Sequence, residues 1–95
     1  MIESFREDWL KEFFEEDKPC GKIPPDLRGR LFRKLQMDDA QTEQDLQVPP
    51  GNRFEKLKGN LGGWCSIRVS QQWRLIFQWS DGEVRSVYLD NHSYR

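Results

Sequence analysis

Apolar residues early in the chain fall at Phe5, Trp9, Leu10, Phe13 and Phe14, in steps of four, one, three and one. That spacing lays one apolar stripe along a helix. Glu7, Asp8, Lys11, Glu12, Glu15 and Glu16 fill the other side, and Pro19 and Gly21 end the element. Ile2 to Phe5 reads as a short first strand. Pro24-Pro25-Asp26 opens a second helix, because proline is tolerated at a helix start. Leu27, Leu31 and Leu35 recur every four residues, with Arg28, Arg30, Arg33 and Lys34 off the stripe. Two amphipathic helices joined by a short Pro/Gly segment predict a helical hairpin.

Asp38 to Gln47 is polar, with room for one helical turn, and Val48-Pro49-Pro50-Gly51-Asn52 is a break. Beyond it the period changes to two. Cys65, Ile67 and Val69 alternate with Ser66, Arg68 and Ser70; Trp73, Leu75, Phe77 and Trp79 alternate with Arg74, Ile76 and Gln78; Val87 and Leu89 alternate with Ser86, Tyr88 and Asp90. Such alternation predicts strands with one buried face. Asp81-Gly82 is a hairpin signal, because glycine accepts a positive φ. The expected fold is α+β: a short N-terminal strand, then a two-helix hairpin packed on one face of a small antiparallel sheet of three or four strands.

The alternation also sorts side chains. If Cys65, Ile67, Val69, Leu75, Phe77, Val87 and Leu89 face the helices, then Arg68, Arg74, Gln78, Tyr88, Asp90 and His92 face away. Trp64, Ile76 and Val84 are expected on that same outer side. A polar outer face is also what any solvated sheet shows.

At 95 residues the chain is expected to form one domain, residues 1–95, with a modest core. Hydrophobic residues are 36% and charged residues 33%, which suits a soluble globular protein. No apolar run approaches the roughly 18 residues of a membrane span. Met1-Ile2-Glu3-Ser4-Phe5 has neither a basic nor an apolar leader character, so no secretory signal and a cytoplasmic location are expected. Cys20 and Cys65 are too few for a disulfide framework or zinc site and read as space-filling thiols. Residues 1–50 carry 8 Lys/Arg against 12 Asp/Glu, and residues 51–95 carry 7 against 4. The basic half suits a polyanion, although ordinary surface variation gives the same counts.

The candidate chemistry lies in that half. Lys58, Arg74 and the only histidine, His92, offer two fixed positive charges and one group titrating near neutrality. That set suits the negatively charged transition state of a phosphodiester. Arg74 offers a planar fork for two phosphate oxygens, Lys58 a compact charge, and His92 a proton donor or acceptor. Asp90, two residues before His92, is placed to orient the imidazole. Arg53, Lys56, Arg68 and Arg85 read as phosphate-positioning residues, whose contacts give affinity without sequence information. Trp64 and Tyr88 offer rings for a base, with packing the alternative for Trp64. Neither Arg74 nor His92 is expected in the core. Each residue also has a plain structural reading: a loop lysine before Gly59, a strand arginine paired to an acid, an idle terminal histidine. There is no metal cluster, phosphate-cradling glycine loop or nucleophile motif, so neither cofactor nor metal is expected.

Leu57-Lys58-Gly59, Gly63, Ser66-Ile67-Arg68, Trp73-Arg74-Leu75-Ile76-Phe77 and Asp90-Asn91-His92 together resemble a RelE-superfamily toxin. The likeness is to its HigB-type, or plasmid maintenance system killer, branch, and it spans nearly the whole chain. The resemblance implies a metal-independent endoribonuclease that cleaves messenger RNA in the ribosomal A site and inhibits translation. It also implies a helix-turn-helix, HigA-like antitoxin as partner, besides the ribosome and mRNA, and no membrane. By residue match, Lys58, Arg74 and His92 are the residues needed for cleavage, with Asp90 beside the histidine.

Three departures stand out. Asn91 occupies a position that usually holds tyrosine and cannot stack on a base as an aromatic does. Glu55 stands where some members have histidine; a carboxylate can act as a base but also repels phosphate. The sequence pI near 5.8 is low for the family. These departures favour a second reading, a catalytically weak protein that binds antitoxin or RNA; a third is a ribonuclease acting on free RNA.

Overall fold

A computed structural model of the chain describes residues 1–18, 21–48, 50–58 and 62–91. Helix α1 spans Asp8–Glu16 and ends where Asp17 adopts a left-handed conformation (φ 55°). Helix α2, Arg28–Lys34, is flanked by 3-10 turns at Pro25–Leu27 and Leu35–Asp39. The predicted turn in the polar segment is α3, Glu43–Leu46. It is capped by Thr42, whose hydroxyl accepts from the Asp45 N–H, while the Asp45 carboxylate accepts from the Thr42 N–H. This reciprocal bonding fixes a helix too short to persist on propensity alone.

Four strands follow: β1 Glu55–Lys56, β2 Trp64–Arg68, β3 Arg74–Ser80 and β4 Glu83–Asp90. They form an antiparallel meander in the order β1-β2-β3-β4. Asp81 and Gly82 turn the β3–β4 hairpin at φ 46° and 87°, the positive values such a two-residue turn requires. The N-terminal segment lies along the far side of β4, joined to it by parallel bridges from Ile2 to Val84 and from Phe5 to Val87.

Leu10, Phe13, Leu27, Leu31 and Leu35 from the helical half meet Cys65, Ile67, Leu75, Phe77, Val87 and Leu89 from the sheet in one core. The helices therefore cover one sheet face, as the two periodicities predict. Val84 departs from the expected sorting: it is fully buried in that core rather than on the outer face. The reason is a bulge. Ile76 pairs with Tyr88 but Gln78 pairs with Arg85, leaving one residue between on β3 and two on β4. The extra residue, Ser86, sits at φ 55°, and it reverses the side-chain phase of everything before it in the strand. Among the described residues, no helix is long and apolar enough to cross a membrane.

Candidate functional site

The outer sheet face is organised in rows set by strand register. Arg68, Arg74 and Asp90 form one row across β2, β3 and β4; Glu55, Ser66, Ile76 and Tyr88 form the next; Trp64, Gln78 and Arg85 form the third. Arg74 is the centre of the first row and contradicts the expectation that it lies outside the interior, since it is only 4% exposed. Burying a guanidinium requires partners for its donors. Its Nε donates to the Ser66 hydroxyl at 3.0 Å and its Nη2 donates to the Arg53 carbonyl at 2.6 Å. The Glu55 carboxylate lies 3.7 Å from the same nitrogen and is itself half exposed.

The Arg53 carbonyl is itself held by the local fold. Arg53 adopts a left-handed backbone (φ 44°), costly for a side chain without compensating contacts. The preceding residue supplies them. Asn52, buried, donates from Nδ2 to the carbonyls of Leu46 and Val48 at 3.0 and 3.1 Å. Its Oδ1 accepts from Lys34 Nζ. The segment between α3 and β1 is thereby tied to α2, and its carbonyl is aimed at Arg74. Partial burial, and then the charge of Arg33, hold the Lys34 ammonium below its usual pKa.

The candidate residues divide. Asp90 lies across the ladder from Arg74. Lys58 is exposed just beyond β1, and its neighbour Leu57 donates its N–H to the Trp64 carbonyl at 2.9 Å. That contact puts Leu57 opposite Trp64, the partner of Gln78, four residues along β3 from Arg74. With strand spacings this is about 13 Å along and about 10 Å across the sheet. Those spacings separate the backbones of Leu57 and Arg74, and the carboxylate beside Arg74 is that of Glu55. His92 lies outside the described residues, as do Cys20 and Gly59.

Of the phosphate-positioning candidates, Arg53 and Arg68 line a cleft of about 900 Å³ that also receives Arg30, Arg33 and Lys34, against Asp39 and Asp45. Arg68 is turned toward it by a 3.2 Å bond from Nε to the Ser70 carbonyl. Lys56 and Arg85 are placed otherwise. Lys56 pairs in register with core-facing Cys65, and its ammonium bonds Glu43 of α3 at 2.7 Å, away from the Arg74 face. Arg85 is engaged by Glu3 at 2.8 Å and Glu83 at 2.6 Å. Period-two reading does not give the Glu43 or Glu3 pairing, because both acids are distant in sequence; Glu83 stands two residues before Arg85 in β4.

Two residues of this face are not singled out by the sequence pattern. Ser66 looked like one more outward serine, yet it is fully buried against Arg74. Arg6 lies in the N-terminal segment, with its guanidinium 4.4 Å above the Tyr88 ring and 5.9 Å from the Trp64 ring. The usable signal was Phe5: a core-facing residue in an extended segment sends the next one to the other side.

Residues 3–92 match the family model for the RelE-like toxin of the type II toxin–antitoxin system HigB. Toxin HigB-1 of Vibrio cholerae serotype O1 is 56% identical over 95 residues, covering 99% of this chain and all of the relative. Endoribonuclease HigB of Proteus vulgaris is 33% identical over 93 residues, covering 97% of this chain and all of that protein. The crystal structure of YafQ from E. coli strain BL21(DE3) superposes with a TM-score of 0.64 at 19% identity, covering 98% of this chain and 93% of that one. That last likeness concerns the fold. On the family match and the two relatives, the chain belongs to the HigB-like family of RelE-like toxins from type II toxin–antitoxin systems.

Proposed function

We propose that this toxin is a metal-independent endoribonuclease that cuts messenger RNA in the ribosomal A site, in the cytoplasm, and that a helix-turn-helix antitoxin restrains it. The observation that carries this reading is the buried, doubly anchored Arg74 at the centre of a face shared with Asp90. An anion-binding donor fixed before substrate arrives needs no reorganisation when charge develops on the phosphate. A guanidinium carries five N–H donors, so the bonds to Ser66 and Arg53 leave others for phosphate oxygens. In this mechanism His92 moves the proton to or from the reacting oxygens, and Asp90 orients it. Lys58, from the other end of the face, holds a neighbouring phosphate. Arg53 and Arg68 carry the RNA backbone toward the cleft beside α2. Glu55 occupies the guanidinium until RNA displaces it, or takes the 2′-hydroxyl proton.

The Arg74–Glu55 pair also favours a second reading, a catalytically weak protein that binds antitoxin or RNA. A phosphate must compete with a carboxylate already 3.7 Å from Arg74. Ribosomes programmed with a defined mRNA separate the two. Cutting that depends on ribosome and A-site codon supports the enzyme; binding without cutting supports the interaction module; cutting of free RNA at the same rate overturns the ribosome-dependent reading.

A further inference from the structure

We propose that Arg6, Tyr88 and Trp64 form a nucleobase-binding platform in which the Arg6 guanidinium, seated on Tyr88, stacks on one base of the RNA. This rests on the endoribonuclease reading and adds to it the means by which one nucleotide is held and chosen.

Trp64 of β2 and Tyr88 of β4 bring their rings within 6.0 Å, inclined at 69°. They come from strands on either side of β3, so they meet over its outer face, where Ile76 is fully buried. Both rings remain partly exposed, and Arg6 is exposed. The Arg6 guanidinium carbon lies 4.4 Å from the centre of the Tyr88 ring, and because the residue is exposed the group stays within reach of an incoming base. Guanidinium planes stack on unpaired bases, as aromatic rings do.

The side chain is not needed to dock its own segment. The Arg6 N–H donates to the Val87 carbonyl at 2.8 Å and the Glu3 N–H to the Val84 carbonyl at 2.7 Å, which already pin the N-terminal ribbon. The position also fits a nucleic acid. Tyr88 lies one row from Arg74, and Trp64 is opposite Leu57, beside Lys58. A strand whose phosphates reach both cations passes over the platform with a base between them.

The test uses ribosomes programmed with mRNAs carrying a single abasic nucleotide at each A-site codon position in turn, cut by wild type, Arg6→Ala and Arg6→Lys. Arg6→Ala is expected to lower kcat/KM on intact mRNA roughly 5- to 100-fold, as loss of one base stack does, with an unchanged melting curve. At one codon position the abasic substitution should slow wild type by a similar factor and leave Arg6→Ala unaffected. Arg6→Lys keeps the charge without the plane and should behave like Arg6→Ala. Equal losses for wild type and Arg6→Ala at every abasic position, or full activity in Arg6→Lys, overturn the platform. So does a variant that cuts normally but no longer binds the antitoxin, because the surface then belongs to the protein partner. Wild type that cuts no programmed ribosome overturns the endoribonuclease reading and the platform with it.

Discussion

Arg74 Nε donates to the Ser66 hydroxyl at 3.0 Å, and both residues are buried on a sheet face that a simple alternation assigns to solvent. The bond fixes the plane of the guanidinium and so, in the proposed mechanism, which of its donors meet a phosphate. Ser66→Ala should leave that Nε without a partner and cost about 1–3 kcal/mol of stability. Cleavage on programmed ribosomes should fall by more than the loss of folded protein explains, and Ser66→Thr should restore part of it. Denaturant melts and single-turnover rates on the same preparations check this.

Arg74→Ala should lose transition-state stabilisation on the order of 3 kcal/mol. Because the side chain is buried, the variant should also melt earlier, contrary to what an exposed arginine would show. Arg74→Lys retains charge but cannot bond Ser66 and Arg53 together in one plane. It should remain at least tenfold slower than wild type, roughly 1.4 kcal/mol in barrier. Lys58→Ala, at an exposed loop position, should slow cutting with no change in melting.

The sheet and its faces were legible because Cys65–Val69 and Leu75–Phe77 alternate without interruption. The phase of Val84 was not, because Ser86 inserts an extra residue, and nothing in Val84-Arg85-Ser86-Val87 requires a bulge rather than a turn. Glu55 beside Arg74 was not legible, because composition carries no distance and only the strand register brings the two together. Ser66 was hidden because a serine on an outward strand position is usually wet. Arg6 was hidden because parallel pairing of the first residues with the last strand joins sequence ends that no local pattern links. The family likeness points to Arg74, but not to the Asn52–Arg53 segment that aims a carbonyl at it.

The bulge supplies its own test. Ser86 holds a left-handed backbone at φ 55°. Ser86→Gly should be neutral or stabilising, because glycine adopts that conformation without strain. Ser86→Val should cost about 1–3 kcal/mol, the range for a side chain forced into such a region. Thermal or urea unfolding of the two variants reads the difference; equal stabilities would contradict the assigned phase of β4.

Burial pushes the Cys65 thiol above its usual pKa of 9.0, and Glu43 adds to the shift while Lys56 opposes it. A raised folded pKa means that the contribution to stability is fully present below pH 9.0 and is lost as pH rises through the folded value. Stability should therefore fall on the alkaline side, with a shallower slope in Cys65→Ala. Urea midpoints from pH 8 to about 11 check the sign. A slope that Cys65→Ala leaves unchanged would show that the thiol is not what titrates.

The central claim is that the outer face around Arg74 cuts messenger RNA on the ribosome. It is tested most directly by mapping the mRNA ends left on programmed ribosomes by wild type, Arg74→Lys and His92→Gln, with free RNA alongside. The account predicts one A-site cut by wild type and none on free RNA. Arg74→Lys should remain at least tenfold slower, and loss of proton transfer should slow His92→Gln by roughly 100-fold or more while it stays folded. Wild-type ends that match those of either variant in position and rate would contradict it.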